Sequence, residues 1–395
     1  MLIKNSLEHQ VLPVPFHLLT IWGVWCPENF NPSIKKVYSV FTIIVLAVQM
    51  SLTLGVSILF VMMISSKNFD LDIFFMMTSL INGMYKALNI FYYRKRILSL
   101  LTRGFEDRWH VPRDDYEKYI LEIYFNESWR IHLIYAVACL AGVFIKLIGP
   151  MVKYDTDLKL PTSSWYPYNT NETVYFWVSY SQQMFVGGSI ISMHIGADTL
   201  LSGMILQSCV QLQLLKHRLR SFSKHCIDAH RYLGTKLSKS SIESVFLRQY
   251  ICDHQLIYTY LKMINHDFSG WLLAMLAVVV PNICINVYLL SFQKIGMNVD
   301  FVTTFGLLSI SLFQIYLPCW YGNGVILHST EITNAIFEMD WTDLSPFTRK
   351  ALIIMMMRSL KPSKIETAHI IPINIKALLK IMKTSYSFLS VLQQM

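Results

Sequence analysis

The sequence predicts an all-α membrane protein with seven transmembrane helices, a cytosolic N-terminus and an extracellular C-terminus. Of its 395 residues, 53% are hydrophobic and only 15% are charged, whereas an ordinary soluble domain carries about 25% charged residues. Four runs, at 37–66, 173–197, 268–293 and 301–330, contain no charged residue. Each is longer than the ~20 residues that a helix needs to cross a bilayer. A soluble fold could not bury this much apolar surface.

Three weaker apolar segments bring the predicted spans to seven. Residues 73–93 and 131–149 each carry one lysine, Lys86 and Lys146, and residues 375–395 close the chain. We expect both lysines to reach toward a membrane surface along their aliphatic stems. Asp198 lies inside the fourth span. Because a carboxylate inside a membrane is costly when unpaired, we expect it to face the bundle and to have a partner.

The distribution of positive charge predicts the orientation. Residues 94–130 carry eight lysines and arginines and residues 216–262 carry nine, whereas the predicted outer loops carry four in total. Positive residues stay on the cytosolic side of a membrane, so the N-terminus is predicted inside. This orientation is opposite to that of a G-protein-coupled receptor. It also accounts for the net charge of +9 without a nucleic-acid partner.

Segments between the spans also have predicted roles. The loop at 151–171 is rich in proline and aromatic residues, which favours a lid folded onto the outer face. This loop also holds a glycosylation sequon at Asn171. The fourth span continues with helical spacing to Arg220, so its helix would be about twice as long as a bilayer is thick. Residues 238–241 predict a turn before a second long helix at 242–264.

The C-terminal quarter predicts two more helices. A turn at 341–346 precedes an amphipathic helix at 349–360, and Pro362 ends it. A final helix is predicted from 366 to 395. Helical spacing places four of its residues on one face, namely Met382, Tyr386, Leu389 and Gln393.

Several short motifs occur in an order and spacing that resemble those of insect odorant receptors. They include DTLLSG at 198–203, LPCWYGNGV at 317–325, Pro362, and KTSYSF at 383–388. The resemblance covers nearly the whole chain and is strongest from Leu317 onward. It implies an odorant-gated, non-selective cation channel in the plasma membrane of olfactory neuron dendrites. The subunits of this family form a tetramer with a common coreceptor. The short segment at 216–262 departs from the coreceptor, so the chain looks like a ligand-specific tuning subunit.

The resemblance also implies a division of the chain. Residues 1–36 would form a cytosolic N-terminal segment, and residues 37–325 six transmembrane helices with cytosolic extensions. Residues 326–362 would form a cytosolic anchor region, and residues 363–395 the pore-lining seventh helix. The family has its constriction near the outer end of this helix. Leu389 is therefore the predicted gate and Gln393 a polar ring one turn further out, although Leu389 could also pack against a neighbouring helix.

The family binds its ligand among the second, third, fourth and sixth spans, in the outer half of the membrane. A small volatile ligand needs an apolar cavity with few polar groups. The candidates at those positions are Phe75, Thr78, Gly142, Ile145, Tyr180, Met184, Gly187, Phe305 and Ser309. Each could instead serve only in helix packing.

Other functional classes remain as alternatives. A gustatory receptor of the same superfamily would place threonine next to tyrosine near the C-terminus, whereas Ser385 intervenes here. A G-protein-coupled receptor requires the opposite orientation, and a transporter would show saturable uptake without gated current. The sequence shows no catalytic constellation, no metal-ligand spacing and no glycine-rich phosphate loop. We therefore expect no enzyme activity and no cofactor.

Overall fold

The protein is built almost entirely of helices. The computed structural model describes residues 12–27, 29–67, 70–104, 112–152, 160–233, 238–293, 299–341, 343–367 and 371–392, without some side chains at helix ends. Its helices are α1 Pro13–Ile21, α2 Pro32–Ser65, α3 Leu71–Gly104, α4 Asp115–Val152, α5 Thr173–Arg220, α6 Phe222–Leu233, α7 Lys239–Phe292, α8 Val299–Phe337, α9 Pro346–Ser359 and α10 Ile375–Leu392. One antiparallel pair of short strands, β1 Glu366–Thr367 and β2 Ile371–Pro372, precedes α10.

Helix α5 forms the centre of the bundle. It has 48 residues, and most of them are buried, because α1, α2, α3, α4, α7 and α8 all pack against it. At 1.5 Å per residue it is about 70 Å long, which confirms the prediction of a helix far longer than a membrane is thick. Helix α7 is longer still, with 54 residues. It starts at the predicted turn, where the Ser238 side chain accepts a hydrogen bond from the Ser241 amide at 3.2 Å.

Within the described residues, five helices are long and apolar enough to cross a membrane, namely α2, α4, α5, α7 and α8. Helix α3 carries a polar second half, and α10 has only 18 residues, three of them lysines. The number of seven spans and the orientation of the termini therefore stay predictions.

The N-terminal region is part of the core, which the sequence did not predict. The side chains of Phe16, Leu19 and Trp25 are completely buried, and α1 packs along α5. Two glycines of α5 make this contact possible. A Cβ at Gly203 would lie 2.6 Å from Leu12 Cδ2, and one at Gly196 would lie 2.8 Å from Leu19 Cγ. The two glycines are seven residues apart, so they lie on one face of α5 and form a groove for α1.

The predicted start of the last helix at residue 366 is wrong. Residues 366–367 pair with 371–372 as a short ribbon, and the helix begins at Ile375. Two local features explain the later start. Proline disfavours helical conformation in the residue before it, here Ile371. Asn374 then caps the helix, since its side-chain oxygen accepts from the Ala377 amide at 2.9 Å.

Side chains of α7 hold the C-terminal elements. The Asn265 side chain donates to the Lys364 carbonyl at 2.7 Å and accepts from the Glu366 amide at 3.0 Å. The buried Glu243 carboxylate accepts from the Ser345 amide and from the Thr348 hydroxyl, both at 3.0 Å. These contacts fix the start of α9, which confirms the predicted helix at 349–360. They also make α7 the support for both C-terminal helices.

Candidate functional site

A cavity of about 150 Å³ lies between the helices at the end of the bundle that carries the loop at 160–172. Its wall is mostly apolar and comes from α2, α3, α4, α5, α7 and α8, with one residue from the loop. Its lining residues are Leu52, Phe75, Met76, Ser79, Leu80, Asn82, Tyr135, Val143, Lys146, Leu147, Thr162, Gln183, Val186, Gly187, Ile190, Ile191, His194, Val278, Val279, Asn282, Leu307, Ile310, Ser311 and Gln314. An apolar cavity with a few inward polar groups suits a small organic ligand.

The loop at 160–172 forms the roof of this cavity, and Gln183 of α5 holds it there. The Gln183 side chain accepts from the Thr162 amide at 2.9 Å and donates to the Thr162 carbonyl at 2.8 Å. On the other side, the Trp165 amide donates to the Gly55 carbonyl of α2 at 3.1 Å. The described part of the predicted lid therefore packs on the helix ends. Asn171, the predicted glycosylation site, is exposed at the end of this loop.

Gln183→Met is expected to loosen the roof. Methionine keeps most of the volume but removes both bonds to Thr162, each worth about 0.5–1.5 kcal/mol. Hydrogen exchange measured by mass spectrometry should therefore become faster in residues 161–168, by roughly 10-fold. The neighbouring Gln182→Met is the matched control, since that side chain is half-buried and bonds only the Ser51 hydroxyl, at 2.7 Å. Equal exchange in both variants would show that Gln183 does not hold the roof.

A buried ion pair lies beneath the cavity and forms the base of a polar floor, behind the lining residues Tyr135 and Gln314. The ammonium of Lys86 lies 2.6 Å from Asp198 Oδ1, and both side chains are almost completely buried. Gln314 donates to Asp198 Oδ2 at 2.8 Å, and the Tyr135 hydroxyl lies 3.5 Å from the same oxygen. The prediction that Asp198 is paired inside the bundle is confirmed. The expectation that Lys86 reaches a membrane surface is wrong, because the Asp198 carboxylate, 112 residues later in the chain, binds it in the interior.

His194 extends this polar floor toward the cavity. Its Nε2 lies 3.1 Å from the Ser79 carbonyl oxygen. A carbonyl can only accept, so Nε2 carries the hydrogen, and in the neutral ring Nδ1 accepts from Lys86 at 3.3 Å. A Cβ at Gly83 would lie 2.9 Å from His194 Nε2, so α3 approaches the imidazole closely there. The floor thus joins α3, α4, α5 and α8 through one set of hydrogen bonds.

Two further polar side chains lie in the wall. The Lys146 ammonium lies 3.1 Å from the Met76 sulfur and 5.7 Å from the centre of the Phe75 ring. Lys146 thus directs its ammonium to the cavity wall, and the expectation that it reaches toward a membrane surface stays a prediction. The side-chain oxygen of Asn82 is buried and has no hydrogen-bond partner among the described residues. A bound molecule could satisfy either group.

The residues predicted for the ligand site are distributed over three environments. Phe75 and Gly187 lie in the cavity wall. Three others lie just behind it: the Thr78 hydroxyl is 3.3 Å from Asn282 Oδ1, the Tyr180 hydroxyl donates to the Leu147 carbonyl at 3.2 Å, and a Cβ at Gly142 would lie 3.2 Å from Ile310 Cδ1. Met184 is half-buried away from the wall, and Ile145, Phe305 and Ser309 are exposed on the outside of the bundle. Contact with a ligand stays a prediction for all nine.

Three of the four residues predicted for the pore, Met382, Tyr386 and Leu389, lie on α10, which packs mainly against α7 and α8. Met382 and Tyr386 are exposed, at 45% and 71%, so this face of α10 is free within the subunit. Ser385, about 80° around the helix from the mean direction of these two residues, is buried. The side chain of Leu389 and the whole of Gln393 lie outside the described residues.

A second cavity, of about 480 Å³, lies between α4, α5 and α8, further from the loop. Its wall contains the Glu127 carboxylate, several tyrosines and Ile375, the first residue of α10. A carboxylate and several phenol groups make this wall more polar than an apolar ligand prefers. The roofed cavity is therefore the candidate ligand site.

Comparison with known proteins agrees with this architecture. A family model described as 7tm Odorant receptor matches residues 68–386. Odorant receptor 94a of Drosophila melanogaster is 24% identical over 318 residues, which is 78% of this chain and 76% of that protein. Odorant receptor Or1 of Anopheles gambiae is 21% identical over 398 residues, or 94% and 92% of the two chains. The structure of the insect olfactory receptor OR5 from Machilis hrabei in complex with eugenol superposes with a TM-score of 0.82, at 14% identity, over 98% of both chains.

Proposed function

Because the chain belongs to the 7tm odorant receptor family, we propose that it is the odorant-binding subunit of a ligand-gated cation channel. It is a multi-pass membrane protein, and the ligand would bind in the roofed cavity. The observation that carries this proposal is a mostly apolar cavity among six helices, chiefly α3, α4, α5 and α8, with a loop over it and a polar floor beneath it. The OR5 protein, which shares this fold, binds eugenol, and this supports a small organic ligand here.

The proposed pore is lined by α10. Support comes from the exposed face of α10 that carries Met382 and Tyr386. No other described part of the subunit packs over this face, which would point to the axis of an assembly. Leu389 and Gln393 follow on the same face by helical spacing. An apolar ring at Leu389 would close such a pore by excluding water. The other subunits of the proposed tetramer would include the odorant receptor coreceptor, as in the rest of the family.

A mechanical connection between ligand site and pore is available in α8. Its first half lines the cavity through Leu307, Ile310 and Gln314. Its second half packs against α10, and the backbone at Gly322 touches the segment that leads into α10. A ligand that shifts α8 against the polar floor would therefore also move the start of the pore helix.

The test is whole-cell current in cells that express the chain with and without the coreceptor, with G-protein signalling blocked. We expect a rapid cation current on exposure to small volatile molecules, only in the cells that also hold the coreceptor. Leu389→Ala should then increase the current that flows without ligand.

Other outcomes distinguish the alternatives. A response abolished by the G-protein block would indicate a G-protein-coupled receptor and contradict the proposal. Currents evoked by soluble tastants and not by volatiles would indicate a gustatory receptor of the same superfamily. Uptake of the ligand without current would indicate a transporter.

A further inference from the structure

Lys146 has an unusual environment for a buried cation. It lies near the loop end of α4, in the wall of the roofed cavity. Its ammonium contacts the Met76 sulfur at 3.1 Å and lies 5.7 Å from the centre of the Phe75 ring. Both contact residues are themselves part of the cavity wall. The charged end of the side chain is thus at the cavity and not at the outer surface of the bundle.

Within the part of the chain that the structure describes, this ammonium has no counter-ion in contact. Among the described residues, none of the ion pairs within 4 Å includes Lys146. The carboxylate of Asp72 attracts it only from a longer distance. A thioether is a weak acceptor, and a ring face compensates for only part of the lost hydration of a cation. Lys86, beneath the cavity and not in its wall, is different, because Asp198 pairs with it directly at 2.6 Å.

The contrast between the two lysines separates their roles. The Lys86 ammonium is bound by a carboxylate and an imidazole, so it offers little to a ligand. The Lys146 ammonium carries three N–H donors and has no oxygen partner among the described residues. An oxygen acceptor brought into the cavity by a ligand would restore what this cation lost on burial. The gain is largest for an anionic acceptor, since its charge adds a direct Coulomb attraction to the hydrogen bond from the ammonium.

We propose that Lys146 determines ligand specificity, by selecting small molecules that carry an oxygen acceptor on an apolar chain. The class is short carboxylates first and carbonyl compounds second. Their oxygen accepts from the Lys146 ammonium beneath the roof, and the chain lies along Leu80, Val186 and Ile310. The inference rests on the proposed function, because it assigns the ligand class to that same cavity.

The test measures binding directly on the purified complex with the coreceptor, through the ligand-induced rise in melting temperature. Four probes share one six-carbon chain and differ in the head group: hexanoate, hexanal, 1-hexanol and hexane. We expect the apparent affinity to fall in that order. In Lys146→Met, the affinity for hexanoate and hexanal should fall by roughly 10–100-fold, while that for hexane stays unchanged. Lys146→Arg should retain the preference for hexanoate.

A second readout separates a ligand-binding role from a structural one. Since the cation lacks a counter-ion, Lys146→Met without ligand should melt at the same or a higher temperature than the original protein. A lysine that mainly supports the fold would instead lower the melting temperature when replaced. Lys118→Met is the matched control, because that lysine lies at the other end of α4, is 64% exposed and, among the described residues, forms its ion pair with Glu122, at 4.0 Å.

Four results would overturn the proposal. Three of them are an affinity order that does not depend on the head group, an order that Lys146→Met leaves unchanged, and strongest binding of 1-hexanol. The last would point to the unpaired Asn82 oxygen as the ligand's partner. Failure of hexanoate and hexanal to raise the melting temperature at millimolar concentration would also overturn it. None of these readouts uses current, so they are distinct from a failure of the proposed channel function.

Discussion

Asp198→Asn is expected to destabilise the folded chain by roughly 3–5 kcal/mol, the cost of leaving a buried charge without its partner. The substitution keeps the size of the side chain and an oxygen for Gln314, but it removes the negative charge from beside Lys86. That lysine is completely buried, so water cannot replace the lost carboxylate. The check is the denaturation midpoint of the purified protein, together with the amount that reaches the cell surface.

The double variant Lys86→Met with Asp198→Asn should recover much of the lost stability, because it removes both charges together. The coupling energy from this double-mutant cycle isolates the ion pair from other effects of each substitution. Arg220 and Glu338 provide the control, since they form a pair at 2.7 Å with both side chains about half exposed. Glu338→Gln should change stability by less than about 1 kcal/mol. Single variants whose effects simply add would contradict the role of the pair.

Gly322→Ala is expected to displace the segment that leads into the last helix and to abolish ligand-gated current. A Cβ at this position of α8 would overlap the carbonyl oxygen of Ile373. The obstacle is backbone, which cannot rotate away as a side chain can. Ile373 is itself buried, and its amide donates a hydrogen bond to the Ile365 carbonyl at 2.8 Å. Either α8 or the segment before α10 must therefore shift. Overpacking of this kind lowers the free energy of unfolding by about 1–3 kcal/mol. The start of α10 moves together with the segment before it.

Gly306 of the same helix is the control for this variant. A Cβ there would meet no atom within 4 Å, so Gly306→Ala should leave stability unchanged or raise it slightly through better helix propensity. Surface labelling and whole-cell current would be recorded for both variants. Normal gating in Gly322→Ala would mean that the contact with Ile373 does not position the pore helix.

The long helices could be predicted because their signals are local. Uncharged runs predict α5 and the apolar half of α7, and Ser238 marks the start of α7 as a cap. The ribbon before α10 and the docking of α1 could not be predicted in this way. The ribbon depends on Asn265, about a hundred residues earlier in the chain, and α1 depends on a groove at two glycines of α5. Both are tertiary contacts that no window of the sequence contains.

Family resemblance predicted the region of the candidate cavity, but most of the individual residues that line it were not predicted. One residue along a helix corresponds to a rotation of about 100°. The prediction chose Ile145, which is exposed, whereas the next residue, Lys146, lies in the cavity wall. A lone lysine in an apolar span was the available signal, and it was interpreted as reaching the membrane surface. Its true position depends on the rotation of α4 against α3, which spacing alone does not determine.

The pairing of Lys86 with Asp198 also constrains how the protein is made. The ribosome delivers α3 well before α5, because 112 residues separate the two partners. Until α5 emerges, an inserted α3 carries a cation without its counter-charge, which opposes its release into lipid. Helix α1 also cannot dock before α5 is present, since the groove that receives it lies on α5. The final arrangement of the first helices is thus a late event of biogenesis, and a chain truncated before α5 would be a substrate for membrane quality control.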